Sequence, residues 1–211
     1  MGYFLFTVEA ESVNKLLRGE DVSVGEATPR LGILLFHDDD HVSYPLTPFE
    51  TREIFPRALE YISQFKEILR SRHRFRNFDP TGEQWLGIYS VTAAALARHK
   101  VVIREIARGM IAAPVHGQNI IPDHKLYVIP CKTAEEAELL SIVLNSRVVN
   151  YLVRSFSIST SMTGSVFRYV GIQDLTKVKT EPKRELMIAN ALGISLDAYR
   201  TLDSIARTEL G

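Results

Sequence analysis

The chain has 211 residues, of which 45% are hydrophobic and 24% are charged, so it can fold around one sizeable core or two small lobes. Lysine plus arginine equals aspartate plus glutamate at 25 each, which excludes the uniform positive field of a histone-like nucleic-acid binder. The single cysteine, Cys131, excludes an intramolecular disulfide and an all-cysteine zinc site and is typical of a reducing compartment.

The charges are unevenly distributed along the sequence. Residues 1–50 hold three basic against nine acidic side chains, whereas residues 51–110 hold eleven basic against six acidic ones. We therefore expect one electropositive face, which would act on a polyanion within about 10 Å. The sequence has no run of 18 apolar residues and no basic leader, so we expect no membrane span, no signal peptide and a cytoplasmic location.

Short strands are predicted in the N-terminal quarter. Apolar runs at residues 3–8 and 32–36 predict strands, and residues 12–18 between them predict one or two helical turns ended by a glycine. The segment from His37 to His41 contains three aspartates. We interpret it as a solvated acidic turn, because a flexible loop does not preorganise metal ligands.

Helical signals follow this turn. Thr47, a proline and Glu50 form a capping box that predicts a helix start. Over residues 57–72 apolar side chains recur at spacings of three and four, which predicts one helix of about four turns. The later segments predict, in chain order, extended structure at residues 85–89, a short helix at 92–99, a hairpin of strands 101–106 and 110–115, a strand at 126–130, a helix capped by Thr133 with Glu136 and interrupted at Asn145, a helix at 148–156, a strand at 166–170, and two helices joined at Gly193 with Ser195 as a cap.

Helices and strands interleave without a strict βαβ order, which predicts an α+β fold with a mixed sheet flanked by helices and a C-terminal helical hairpin. We expect a main domain over residues 1–180, with the hairpin at residues 181–211 packed on it. The hairpin spacing also fits a helix-turn-helix. Its second helix, however, offers Asp197 and Asp203 against only Arg200, which is a poor complement to phosphate.

Familiar catalytic motifs are absent from the sequence. It contains no Gly-rich dinucleotide fingerprint, no phosphate loop and no G-x-S-x-G, so no catalytic or metal-binding residue is predicted. Cys131, beside a proline, is interpreted as an inert residue at a strand end. A split nuclease signature of Asp123 with Glu181 and Lys183 is disfavoured because Pro182 interrupts the strand that such a site needs.

Basic and aromatic side chains alternate in the middle of the chain. The cations are Lys66, Arg70, Arg72, His73, Arg74 and Arg76, with Phe65, Phe75 and Phe78 among them and Trp85 following. Guanidinium groups match phosphate and the guanine edge in a bidentate way, and aromatic rings can stack or wedge. The segment therefore predicts a DNA contact surface, with a solvated basic helix end as the alternative. Arg104 and Arg108 carry the same two interpretations.

Several short segments also follow one another in a recognisable order. They are K-L-L-R-G-E-D-V at residues 15–22, the helical stretch 61–72, Trp85, K-V-V-I-R at 100–104, I-P-D at 121–123 through Tyr127, L-N-S-R at 144–147, and Gly164 followed by F-R-Y at 167–169. In this order they resemble the C-terminal target-recognition domain of Taq-type adenine-N6 DNA methyltransferases, including fused restriction-methylation enzymes. The resemblance extends over residues 12–180.

The resemblance implies a domain that reads a short sequence of double-stranded DNA and presents it to a methyltransferase catalytic domain. That partner, in cis or in trans, would flip out the target adenine and use S-adenosylmethionine. The present sequence has no N-P-P-[YF] stretch and no Gly-rich methyl-donor motif. We therefore expect no methylation by this chain alone and no cofactor bound to it.

The predicted division of labour follows from the residue types. Phosphate contacts from the basic residues would set the register, while Arg74 and the loop at residues 157–168 would lie nearest the bases. Hydroxyl groups in that loop can donate or accept, and Gly164 allows close backbone approach; an ordinary flexible connection is the alternative. The predicted DNA-binding residues are Lys66, Arg70, Arg72, Arg74, Arg76, Trp85, Arg104, Arg108, Ser161, Thr163, Gly164 and Arg168.

Two other function classes remain open on the sequence. One is a protein-interaction or scaffold domain that docks a partner through the helical tail and has no DNA affinity. The other is a metal-dependent nuclease with an unrecognised site. DNA affinity at physiological salt separates the first from DNA recognition, and metal-dependent cleavage of plasmid separates the second.

Overall fold

A computed structural model describes residues 6–72, 84–88, 91–156, 170–175, 178 and 183–210 of the chain. The strands are β1 (Val13–Leu17), β2 (Val22–Ser23), β3 (Glu26–Ala27), β4 (Leu31–Leu34), β5 (His99–Arg104), β6 (Ala112–His116), β7 (Ile120–Pro122) and β8 (Leu126–Cys131). The α-helices are α1 (Pro48–Ile54), α2 (Pro56–Ser63), α3 (Lys66–Arg70), α4 (Ala93–Leu96), α5 (Ala134–Leu144), α6 (Arg147–Phe156), α7 (Arg184–Leu192) and α8 (Leu196–Leu210).

The chain divides into two compact units. Unit 1 comprises Met1–Leu16, Arg30–Leu96 and Asn119–Ile121, and unit 2 comprises Leu17–Pro29, Ala97–Gln118 and Pro122–Gly211. The predicted α+β class with a mixed sheet and C-terminal helices is confirmed. The predicted boundary between residues 180 and 181 stays a prediction. None of the described helices combines the length and apolar character needed to cross a bilayer.

Unit 1 is built on the mixed sheet, whose strand order is β4-β1-β7. Strands β1 and β4 are antiparallel, with Val13 opposite Leu34. Phe36, Leu59 and Trp85 form the centre of a core cluster in this unit. Burial of such large side chains is the main favourable contribution to folding, and it fixes α2 within the unit.

The helix starts of unit 1 depend on side chains that satisfy free backbone N–H groups. The capping box at α1 is confirmed: Thr47 Oγ1 accepts the N–H of Glu50 at 3.2 Å, and Glu50 Oε2 accepts the N–H of Thr47 at 2.8 Å. Helix α2 is capped from a distance in sequence. The two carboxylate oxygens of Glu9 accept the N–H groups of Arg57 and Ala58 at 2.9 Å each.

Unit 2 is built on an antiparallel sheet with the order β6-β5-β8. The predicted hairpin of β5 and β6 is confirmed, and Ile103 of the central strand lies opposite Ala112 and Tyr127. Helix α5 packs on β5 and β6, and α7 and α8 pack on α5 and α6. The predicted C-terminal helix pair is confirmed: Gly193 ends α7 at φ 67°, and Ser195 Oγ accepts the N–H of Ala198 at 3.1 Å.

The segment at residues 12–18 is mainly a strand, so the helical prediction there was wrong. A 3-10 turn at Ala10–Ser12 leads directly into β1. The buried Ser12 side chain donates to the carbonyl of Glu9 at 2.7 Å, and Leu17 is fully buried. Pairing with β4 satisfies the backbone groups, because tertiary partners override a weak local preference.

The predicted single helix over residues 57–72 is two helices, α2 and α3. At the break, Gln64 N–H donates to the carbonyl of Tyr61 and Phe65 N–H donates to that of Ile62, at 3.3 and 3.0 Å. These i to i−3 bonds tighten the chain locally. The apolar spacing of three and four continues across the break, so the sequence pattern did not show it.

Three other predicted segments differ from the structure or lie outside it. Residues 84–87 form a turn, closed by the N–H of Gly87 donating to Gln84, rather than an extended segment. Residues 6–8 are not in a strand, and the rest of the predicted strand at 3–8 lies outside the described residues. Of the predicted strand at 166–170 only Val170 is described, and it is buried outside any strand.

Candidate nucleic-acid interface

The described part of the basic segment in unit 1 consists of Lys66, Arg70, Arg72 and Trp85. Lys66 and Arg70 lie on α3, none of whose residues is buried. The ammonium nitrogen of Lys66 lies 5.5 Å from the centre of the Trp85 ring, in a cation-π geometry. Arg70 lies 3.8 Å from the carboxylate of Glu67, a loose pair on the same helix.

Arg72 and Trp85 hold unit 1 together. Arg72 donates from Nε to the carbonyl of Leu69 at 2.8 Å and from one terminal nitrogen to the carbonyls of Trp85 and Gly87 at 3.0 Å each. Burial lowers the pKa of this guanidinium. The Trp85 side chain is 3% exposed and lies in the core. The structure therefore gives both residues a role in the fold, and it does not present the Trp85 ring for stacking on a base.

Six of the predicted contact residues lie outside the described residues. They are Arg74, Arg76, Ser161, Thr163, Gly164 and Arg168. Their assignment to DNA stays a prediction. The remaining two, Arg104 and Arg108, belong to unit 2, whereas the basic segment belongs to unit 1.

Arg104 lines a small pocket of about 350 Å³ at the end of β5. The other lining residues are Arg18, Gly19, Glu20, Ile106, Asp123 and Lys125. Arg18 forms an ion pair with Glu20, and Lys125 lies 3.4 Å from Glu105. Positive and negative groups are therefore mixed here, which makes this pocket a weak attractor for a polyanion.

Arg108 lines a larger pocket of about 780 Å³ in unit 2, which we name the arginine pocket. Its lining residues are Arg108, Gly109, Asn145, Ser146, Arg147, Asn150, Arg154, Arg184, Glu185, Ile188, Tyr199, Asp203, Arg207 and Leu210. They come from the β5–β6 loop and from the ends and faces of α5, α6, α7 and α8. Five arginines against two carboxylates give this pocket an excess of positive charge.

Two asparagines fix the loop that carries Arg108. The Asn145 amide accepts the N–H of Ala112 at 3.0 Å and donates to its carbonyl at 2.8 Å. Asn150 Oδ1 accepts the N–H of Met110 at 2.8 Å. A side chain at Gly109 would place its Cβ 2.5 Å from that Asn150 oxygen, so the close approach requires glycine. These bonds attach the C-terminal end of the β5–β6 loop, at Met110 and Ala112, to α6 and to the end of α5.

Both acids of the arginine pocket are engaged with arginines. Arg147 donates to both carboxylate oxygens of Asp203 at 3.0 Å, and Arg207 donates to one of them at 3.3 Å. Arg200 donates to Glu185 at 3.2 Å. The Asp203 side chain is only 18% exposed, so these charge-assisted bonds are partly shielded from water and fix the position of Arg147.

The arginine pocket was missed by reasoning from the sequence, apart from Arg108. Arg147 belongs to the L-N-S-R segment and lies seven residues before Arg154, a spacing that places both on one face of α6. Arg200 and Arg207 repeat this spacing on α8. These periodic arginines were the available signal. The convergence of the β5–β6 loop and four helices on one pocket could not be read from it.

Metal and thiol chemistry find no support in the described residues. Within those ranges no group of three or more His, Cys, Asp or Glu side chains could hold a metal ion. His37 is buried: its Nδ1 donates to the carbonyl of His41 at 3.0 Å and its Nε2 accepts the N–H of Ile88 at 3.0 Å. Burial raises the pKa of the Cys131 thiol to about 11, with a further contribution from Glu136, so it is not a thiolate near neutral pH.

Comparison with known proteins finds similarity among solved structures. No protein-family model matches the chain, and no curated protein matches it. Among solved structures it is similar to the Type IIL restriction-modification enzyme MmeI in complex with DNA, with a TM-score of 0.55 and 13% sequence identity. The match covers 94% of this chain and 28% of the MmeI chain. The likeness shows a shared fold that spans little more than a quarter of the larger enzyme.

Proposed function

We propose that this chain is a sequence-specific DNA target-recognition domain of a restriction-modification system and that it performs no catalysis alone. The observation that carries the proposal is the fold, which is similar over 94% of the chain to part of a restriction-modification enzyme bound to DNA. The arginine pocket and the order of short segments that resemble adenine-N6 methyltransferase recognition domains support it independently.

The physical basis of the proposed activity is a separation of positioning from reading. Guanidinium groups donate to phosphate oxygens at any sequence, so they set where the duplex lies without choosing a base. Side chains that reach base edges supply the choice. We propose that Arg108 of the arginine pocket and the exposed cations Lys66 and Arg70 act in positioning. We propose that side chains of the loop at residues 157–168 contact the base edges and so select the sequence.

We further propose that the system methylates adenine at N6. The methyl donor S-adenosylmethionine would bind a catalytic domain or subunit, and this chain would present the duplex to it. Flipping an adenine out of the stack is the task of that partner, because the reacting nitrogen is not reachable inside a duplex. The support is the resemblance of residues 12–180 to this family, including the L-N-S-R segment at residues 144–147.

Salt-dependent DNA binding is the first test. The 211-residue chain is titrated with fluorescently labelled duplex DNA, and the association constant is measured between about 50 and 200 mM NaCl. We expect a log-log slope between about −3.6 and −5.4, which corresponds to roughly four to six neutralised phosphates at about −0.9 each. Absence of binding even at the lowest salt would refute DNA recognition and favour the protein-interaction alternative.

Selection from a pool of random duplexes tests the specificity and the modified base. DNA retained by the chain is amplified and sequenced over several rounds. An enriched motif that contains an adenine is the expected result, because the proposed partner domain methylates an adenine within the recognised sequence. Binding without any enriched motif would reduce the proposal to a non-specific DNA-binding domain, and a motif devoid of adenine on both strands would contradict N6 methylation.

A further inference from the structure

Within the described residues, three arginines of the arginine pocket have no acidic partner. Arg108 lies on the β5–β6 loop, Arg154 on α6 and Arg184 at the first position of α7. No carboxylate of the described chain forms an ion pair with any of them, because Asp203 is engaged by Arg147 and Arg207, and Glu185 by Arg200. Like charges held around one cavity repel each other, and a bound anion would relieve that repulsion.

Tyr199 adds a neutral hydrogen-bond donor to the arginine pocket. Its side chain is 5% exposed and lines the arginine pocket from α8, and its hydroxyl forms no hydrogen bond with any described residue. The ring is packed in the core, whereas the hydroxyl oxygen is not buried and can donate a hydrogen bond to a ligand in the pocket. Burial raises the pKa of this phenol, and Asp203 and Glu185 raise it further. The group is therefore a hydrogen-bond donor at neutral pH.

The framework around these groups is fixed before any ligand binds. Asn145 and Asn150 attach the loop of Arg108 to the helices, and Asp203 fixes Arg147 at the rim. The backbone that carries the donors is therefore held in place, whereas the exposed side chains of Arg108, Arg154 and Arg184 would become ordered on binding an anion. The volume of about 780 Å³ leaves space for a phosphodiester group with its neighbouring sugars.

We propose that the arginine pocket binds a backbone phosphodiester of duplex DNA, and this inference rests on the proposed function. The guanidinium groups of Arg108, Arg154 and Arg184 donate to the non-bridging oxygens, and the Tyr199 hydroxyl donates a further hydrogen bond. Three separate forks suit a tetrahedral anion with several acceptor oxygens better than a planar carboxylate, which one fork satisfies. An acidic peptide is therefore the less favoured occupant.

The test compares conservative and truncating variants in the DNA titration. Tyr199→Phe removes only the hydroxyl, so we expect unchanged or slightly raised thermal stability and about threefold weaker DNA binding. Arg108→Ala, Arg154→Ala and Arg184→Ala each remove one donor, with an expected loss of about tenfold in affinity and a slope flattened by about 0.9. Lys132→Ala is the matched control, because it removes one exposed charge of unit 2 outside the pocket and should change affinity by less than about twofold.

The outcomes separate this inference from the proposed function. If the parent chain binds duplex with a steep salt slope and the triple arginine variant binds equally well, the pocket assignment is refuted while DNA recognition stands. If the parent chain binds no duplex, both fail. A parallel titration with inorganic phosphate identifies the source of the anion: stabilisation by phosphate that Tyr199→Phe abolishes, without duplex binding, would overturn the assignment to DNA.

Discussion

The basic segment of unit 1 and the arginine pocket of unit 2 contain the same kinds of cation in opposite circumstances. In the basic segment, Arg72 donates to three backbone carbonyls and Lys66 lies over the Trp85 ring. In the arginine pocket, Arg154 and Arg184 have no acidic partner in the described chain. The density of positive charge in a sequence is therefore a poor measure of binding capacity, because much of it can be used within the fold.

Lys100 extends the comparison to a cation with no surface role, and it gives the largest predicted effect. Its side chain is 0% exposed and donates to the carbonyls of Ala97 and Gly117 at 2.9 and 3.4 Å. Burial lowers the pKa of this amine to about 8, whereas the unfolded chain keeps the proton to about pH 10.5. Between these values the unfolded state binds more protons, so the free energy of unfolding rises with pH, by up to about 3 kcal/mol.

Urea unfolding at several pH values between 7 and 11 measures this effect. Because other groups titrate in the same range, the result is the difference between the parent chain and Lys100→Met, which lacks the titrating amine. We expect Lys100→Met to lose most of the pH-dependent rise in the free energy of unfolding. Lys132→Met, on the surface of the same unit, should keep this rise. Identical pH profiles for parent and Lys100→Met would show that the buried amine keeps an ordinary pKa.

Asn145 is expected to give the next largest effect, because the arginine pocket depends on its amide. Replacement by alanine leaves the buried N–H of Ala112 without its acceptor and frees the end of the loop that carries Arg108. We expect a loss of about 2 kcal/mol in the free energy of unfolding and weaker DNA binding in the same variant. Asn190→Ala, at an exposed position of α7, is the matched control and should change stability by less than about 0.5 kcal/mol.

Arg72→Lys tests whether the basic segment is structural at that residue. Lysine keeps the charge but cannot reproduce the fork that donates to Leu69, Trp85 and Gly87. We expect a loss of about 1 to 2 kcal/mol in stability with an unchanged salt slope of DNA binding. Arg70→Lys is the control and should be neutral in stability. A normal unfolding curve for Arg72→Lys together with several-fold weaker duplex binding would return this residue to the DNA interface.

The predictable parts of the fold were those with local signals. The capping box at Thr47, the β5–β6 hairpin and the turn at Gly193 each depend on a few adjacent residues, and all three are confirmed. The strand β1 depends on a distant partner, β4, and the break between α2 and α3 is a local tightening of the chain by i to i−3 bonds. The sequence pattern indicated a helix at both.

The site was less predictable than the fold because it depends on which cations lack partners. The distant acceptors of Arg72, in a turn at residues 84–87, and the shared acid of Arg147, on α8, are both remote in sequence. No local pattern distinguishes Arg72 from Arg154. The L-N-S-R segment was recognisable, but its structural reason, an asparagine that binds both backbone groups of Ala112, is visible only in three dimensions.

Arg70→Ala has the smallest expected effect. It tests whether the basic segment or the arginine pocket contributes more to duplex affinity. Its loose pair with Glu67, 3.8 Å long and exposed, contributes less than about 0.5 kcal/mol, so stability should hardly change. We expect duplex affinity to fall by about two- to threefold, which is less than for Arg154→Ala, because a cation beside a carboxylate contributes less than one that shares an anion with two other unpaired arginines. An equal or larger fall for Arg70→Ala would reverse the ranking. The principal phosphate contacts would then belong to the basic segment, and the arginine pocket would need a different anion.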